Sequence, residues 1–185
     1  MRLPASVEGR ERLRLFCALT LPEDVLGGIE RWQRAALSSG ARVVPRGHLH
    51  ITLAFLGSRP VSELDAIAGA LRAVAAGAVL PVTLRPLRYC ETRSVGMLVL
   101  EDEKDRAARV ATDLHSRLER LGVYEPERRS WLPHVTVLRF RRHPQLRPSL
   151  PDLGAFSPSD TALYHSLLRS DGAQYEILES VALGG

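Results

Sequence analysis

Lysine is nearly absent from this 185-residue chain: Lys104 is the only one, so almost all of its 25 basic residues are arginines. The formal charge is +4 and the sequence pI about 9.6. Guanidinium forks suit bidentate contacts with phosphate and stacking on flat rings. A genome that prefers arginine codons would give the same composition, and charge by itself speaks to non-specific attraction rather than to fold. Cysteine is scarce too. Cys17 and Cys90 are the only two, and no C-x-x-C spacing occurs. That excludes a disulfide framework. Cys17 lies in an apolar run and reads as a small buried side chain, and a reducing cytoplasm is the simplest compartment. Long hydrophobic runs are missing. The longest uncharged apolar stretch, Ala73–Leu84, contains Pro81 and is too short to cross a bilayer. Residues 1–14 carry acids and arginines without an apolar signal core. The sequence predicts a soluble, cytoplasmic chain with no membrane contact.

An apolar content of 45% is enough for one core, and the length fits one domain. Leu13–Leu19 alternates as a strand. Thr20 and Glu23 stand at capping-box spacing with Pro22 between them, ahead of Val25, Ile29, Trp32, Ala36 and Leu37 at helical spacing. Ser38-Ser39-Gly40 stops that helix, and Arg42–Pro45 leads to a strand closed by Gly57. Ser62 opens a second helix with the stripe Leu64, Ile67, Ala68, Leu71, Val74, Ala75, ended by Gly77. Val82–Tyr89 reads as a strand. The order then recurs: strand Val95–Leu100, a helix from Asp102 to Gly122, and a second apolar strand at Leu132–Leu138. Residues 143–159 hold four prolines and read as a loop with room for one short helix. Asp160–Leu168 and Gln174–Leu183 read as closing strands about the turn Ser170-Asp171-Gly172.

Both recurring strands carry the same pair, His50-Ile51-Thr52 and His134-Val135-Thr136, 134 − 50 = 84 residues apart. Period-two alternation puts Leu49, Ile51, Leu53 and Phe55 on one face, and His50 and Thr52 on the other. From helix start to histidine the intervals also match, 50 − 20 = 30 and 134 − 102 = 32. The chain therefore predicts an internal duplication, with repeats at about 13–90 and 95–183 in a single bilobal domain spanning 13–183. The expected architecture is α+β: two pseudo-symmetric lobes of antiparallel sheet, helices on the outer faces, and the site in the central cleft.

Two imidazoles across a cleft suit general acid–base work near neutral pH, one taking a proton from a nucleophile and one giving a proton to the leaving oxygen. Two threonine hydroxyls beside them can donate to phosphate oxygens, with arginines adding charge stabilisation. No covalent nucleophile is needed. A strained phosphodiester is the expected substrate, which in RNA is the 2',3'-cyclic phosphate. A metal site has less support. His48 and His50 share a strand face, but no third ligand, no H-E-x-x-H and no acid in either histidine strand accompanies them. No metal and no cofactor are expected. His48 reads as a loop residue near the cleft mouth, and His115, His143 and His165 as surface or loop residues.

These motifs resemble the two-histidine phosphoesterase superfamily, most closely its LigT-like branch, the RNA 2',3'-cyclic phosphodiesterases historically called 2'-5' RNA ligases. The resemblance runs from about residue 13 to 183. It includes Arg14-Leu15-Phe16-Cys17-Ala18-Leu19 followed by Leu21-Pro22, then Leu49–Gly57, then Arg129 and Pro133–Arg139. Ser166, Leu168, Gly172 and Tyr175 match the closing hairpin. The resemblance implies His50 and His134 as catalytic residues, Thr52 and Thr136 as phosphate ligands, and Arg139 as a further phosphate contact. It implies opening of the cyclic phosphate to a 2'-phosphate, with His50 as acid and His134 as base, and weak reverse 2'-5' ligation. Trp131 stands in place of a usual Phe. Arg139 lies 139 − 134 = 5 after the histidine, so strict alternation turns it away from the cleft unless the strand bulges or ends; otherwise it is a solvated strand-end residue. Arg46, Arg93, Arg128, Arg129 and Arg141 flank the predicted cleft strands and are candidates for RNA contacts. The expected partners are RNA ends or small cyclic nucleotides, and the expected state is a monomer. A non-catalytic RNA-end or nucleotide-binding module on the same fold is the alternative.

Overall fold

The computed structural model describes residues 7, 9–37, 42–127, 129–169 and 172–184. In chain order its main elements are β1 (Arg12–Leu19), α1 (Glu23–Ala36), β2 (Arg42–Val43), β3 (Ile51–Pro60), α2 (Leu64–Ala76), β4 (Leu84–Glu91), β5 (Val95–Asp102), α3 (Arg106–Arg120), β6 (His134–Arg139), β7 (Asp160–Arg169) and β8 (Gly172–Ala182). All strands pair antiparallel in one sheet of order β4-β5-β6-β3-β1-β7-β8, with β2 beside β6.

Each histidine strand is hydrogen-bonded to the strand that precedes its helix, β3 to β1 and β6 to β5. The two lobes meet where β3 touches β6 through the single pair Ile51↔Val135. The helices bury their stripes in one core with Leu13, Leu15, Cys17 and Leu19 of β1, Ile51 and Leu53 of β3, and Val135 and Val137 of β6. On the opposite sheet face Phe16, Ala18, Ala162 and Tyr164 form a smaller apolar floor.

The helix starts differ from their sequence signals. Thr20 donates to the Asp160 carbonyl (3.2 Å) and makes no cap. The helix begins after Pro22 without a side-chain cap, and Glu23 and Asp24 in its first turn complement the dipole. A 3₁₀ turn, Val61–Glu63, precedes α2. Asp102 does cap α3: its carboxylate accepts from the Ala107 and Ala108 amides (3.0 and 2.8 Å). The Ser38–Gly40 stop and most of the 170–172 turn lie outside the described residues. Residues 143–159 form no helix. They lie along α1, where Trp32 donates to the Ser149 carbonyl (2.6 Å).

Both histidine strands contain a β-bulge, and both bulges fall at the same place. Ala18 faces Thr52 while Cys17 faces Ala54, so Leu53 is the extra residue of β3. Met97 faces Thr136 while Gly96 faces Leu138, so Val137 is the extra residue of β6. Each stands three after its histidine, 53 − 50 = 3 and 137 − 134 = 3. A bulge shifts the alternation by one, so Leu53 and Ala54 are both buried, as are Val137 and Leu138. The residue two beyond the extra one is turned to the cleft face. This corrects the expectation for Phe55, which is 63% exposed rather than in the core. It also supplies the bulge that Arg139 needs. Gly57 does not close β3; at φ +68 it sits in a second register shift, and the strand runs on to Pro60.

A bulge leaves ladder carbonyls to be satisfied elsewhere. The Gln33 amide on α1 donates to Val137 O (2.9 Å) and Val44 O (3.0 Å). His115 Nε2 on α3 donates to Leu53 O (2.7 Å). Each helix thus braces the bulge of the other repeat. The two bracing residues play the same part, each reaching from a helix of one repeat to the bulge of the other. His115 is therefore no idle surface residue, and its ring stacks on Tyr124 at 4.7 Å. His165, expected at the surface or in a loop, is 2% exposed within β7.

Candidate active site

His50, Thr52, His134, Thr136 and Arg139 all line one cavity of about 590 Å³. His50 ends the turn that leads into β3, and Thr52 follows it on the same face. His50 Nε2 lies 3.1 Å from Thr52 Oγ1. The ring also bonds the backbone of His48. His134 opens β6, and its Nδ1 donates to the Leu132 carbonyl (2.9 Å), which leaves Nε2 with a free lone pair. Both histidines thus take their orientation from the backbone two residues earlier, by contacts that repeat across the pseudo-twofold. Trp131 ties its loop to β3 by donating from Nε1 to Thr52 O (2.9 Å).

Arginines 14, 42 and 139 line the cavity, and among the described residues no Asp or Glu does. Of the described arginines expected to meet RNA, Arg46, Arg93, Arg129 and Arg141, none lines it. Arg46 is held by Glu23 and Glu30 (2.9 Å to Glu30), Arg129 lines a neighbouring pocket, and Arg128 lies outside the described residues. Arg42 carries no mark in the sequence; pairing of β2 with β6 sets it opposite Arg139. His48 does reach the cavity, its ring tilted against Tyr175 at 4.4 Å. Among the described residues, no group of three or more His, Cys, Asp or Glu is placed to hold a metal.

A model of the 2'-5' RNA ligase superfamily matches residues 21–167. The chain belongs to this superfamily. An RNA 2',3'-cyclic phosphodiesterase of Thermus thermophilus is 31% identical over 94% of this chain and 91% of its own length. Its namesake in Methanocaldococcus jannaschii is 24% identical over 90% and 99%. Among solved structures, TT0787 of Thermus thermophilus superposes with a TM-score of 0.80 at 29% identity, covering 94% of this chain and 99% of that one. Escherichia coli LigT complexed with 3'-AMP shares the fold, with a TM-score of 0.76 at 24% identity over 95% and 100%.

In this 2'-5' RNA ligase superfamily member the two histidines sit in unequal surroundings. The His50 ring lies 4.9 Å from Phe16, 5.6 Å from Tyr175 and 5.8 Å from Tyr164. That burial drives its pKa down to about 4, helped by the charges of His48, His134 and Arg139 and opposed by the bond to the His48 backbone. His48 is also lowered, by burial first and then by Arg139 and Arg42. His50 is therefore held neutral near pH 7. An anion entering beside His50 would reverse the balance and favour the imidazolium.

Proposed function

We propose that this cleft hydrolyses RNA 2',3'-cyclic phosphate ends to 2'-phosphomonoesters by metal-independent acid–base catalysis. The supporting observation is the pair of bulged strands, which set two His-x-Thr pairs and Arg139 on one cavity that no carboxylate among the described residues lines. A water oxygen attacks phosphorus and the bond to the 3' oxygen breaks. His134 Nε2 takes the water proton, and His50 gives a proton to the departing oxygen. Thr52, Thr136 and Arg139 hold the non-bridging oxygens as charge builds on them. With its pKa pushed down to about 4 by burial, His50 must gain its proton together with the anionic substrate. A 5'-hydroxyl in place of water runs the same step as a 2'-5' ligation. The similarity to RNA 2',3'-cyclic phosphodiesterases supports the substrate class.

One observation favours the reverse order of roles: a histidine held neutral is ready to act as base. Turnover of a nucleoside 2',3'-cyclic phosphate in EDTA, with phosphorus NMR of the product, tests the whole scheme. A 2'-phosphate is expected. A 3'-phosphate would exchange the two roles, and no turnover would leave a nucleotide-binding module.

A further inference from the structure

A second cavity, of about 290 Å³, continues from the first and shares Arg14, Ser166 and Leu168 with it. It exists because β1 and β7 pair only from Leu15↔His165 onward; before that point the strands part. Arg10, Arg12 and Arg14 line it with Ser58 and His165, and no Asp or Glu among the described residues does. Arg12, Arg14 and Phe16 alternate on the cleft face of β1, Arg12 and Arg14 exposed. Same-face residues on a strand are spaced roughly 6.6 Å apart, comparable to successive phosphates of an extended single strand. Phe16 lies against the His50 ring at 4.9 Å. The row therefore starts at the catalytic cleft and leads away from it.

The middle cationic group of the row is fixed rather than trailing. Arg12 is anchored to Ser58, Nε to Oγ at 3.1 Å and Nη2 to the carbonyl at 2.6 Å, and a guanidinium so held keeps further N–H donors. His165, 2% exposed in the wall, has no hydrogen-bond partner for Nδ1 among the described residues and lies 4.0 Å from Glu176. Burial, then Arg10, lower its pKa, so the pocket's charge rests on arginine.

We propose that this row is a track for the RNA backbone upstream of the cyclic end. The terminal nucleotide's own 5'-phosphate sits at Arg14, the next phosphate at Arg12 and the third at Arg10. A groove of positive charge that follows one strand is how sequence-tolerant single-strand binding works. The proposal rests on the activity above for the identity of the group in the cleft, and it makes the substrate a chain of about four nucleotides rather than a cyclic mononucleotide.

The test compares kcat/KM for mono-, di-, tri- and tetranucleotides ending in a 2',3'-cyclic phosphate. Wild-type values should climb several-fold with each added phosphate up to the tetranucleotide and then level off. The salt slope should steepen by roughly 0.7 per phosphate. In the double variant Arg10→Gln/Arg12→Gln the gain from di- to tetranucleotide should vanish while cyclic mononucleotide turnover stays unchanged. A flat wild-type series, or a gain that survives in the variant, overturns the track with the activity intact. An equal loss at every length gives Arg12 a structural role only and likewise overturns it. If no cyclic phosphate is turned over, the activity itself fails. Fluorescence anisotropy with a 3'-phosphorylated tetranucleotide then decides the track, which stands only if the variant binds more weakly. Displacement by an oligoglutamate as effective as by the tetranucleotide would reduce it to undirected charge attraction.

Discussion

Replacing Gln33 by leucine should unfold the protein more easily and loosen its grip on phosphate, although Gln33 touches no substrate. The amide is 5% exposed and serves two carbonyls. Val137 O keeps a second donor, the Val44 amide at 3.0 Å, so its loss is one hydrogen bond, about 1 kcal/mol. Val44 O loses the Gln33 donor inside the core, a cost of about 1–3 kcal/mol. The sum is about 2–4 kcal/mol, reduced somewhat by the added apolar surface of leucine. Urea unfolding curves at constant m measure it. The Val137 bulge turns Arg139 toward the cleft, so binding of inorganic phosphate should weaken several-fold as well. In a cycle with Arg139→Ala that second loss should be non-additive, because both changes act through one guanidinium. A destabilisation below about 0.5 kcal/mol would refute the bracing role, given what a buried amide pair is worth. Strictly additive phosphate losses would refute the link from bulge to Arg139.

His50→Ala and His134→Ala should each lower kcat by ~10²–10⁴-fold with the fold retained by circular dichroism; near-wild-type turnover in either sinks the paired mechanism. Acid should destabilise the protein. The folded-state pKa of His50, about 4, lies below its ordinary value of 6.5, so the unfolded chain binds more protons between those values. The stabilisation is full above pH 6.5 and is lost as pH falls toward 4. Urea midpoints across that window should fall less steeply in His50→Gln, and an unchanged pH dependence would remove His50 as the cause. His115→Ala should raise the KM for a cyclic nucleotide through the Leu53 bulge while leaving cleft histidine titrations, followed by NMR, in place; a KM equal to wild type would leave that contact structural only.

The His-x-Thr pairs and the strand–helix–strand duplication were legible because both rest on local periodicity. Phe55 was misplaced because a bulge leaves no mark in an alternating pattern: Leu53 and Ala54 are both apolar, and either could face the core. The doubling of buried residues in Leu53-Ala54 and Val137-Leu138 was the available signal, and it is identical in the two repeats. Gln33 and His115 were passed over for another reason. A polar side chain on an apolar helix face is ambiguous until the carbonyl that needs it is known, and that carbonyl belongs to the other repeat. Arg12 could be read only once β1 and β7 were seen to part. Thr20 looked like a cap and proved to be a cross-sheet donor, since Asp160 is distant in sequence but adjacent in the sheet.

The crossed bracing has a consequence for how such a chain could be divided. A cut in the connection between α2 and β4 would leave each histidine strand with its own sheet partner and without the side chain that stabilises its bulge. Each fragment would lack what the other supplies, and the lack would be the same in kind. Two copies of either fragment facing each other across a twofold axis could exchange helices and meet that need reciprocally. The single chain has the internal logic of a domain-swapped dimer whose two protomers have been joined end to end.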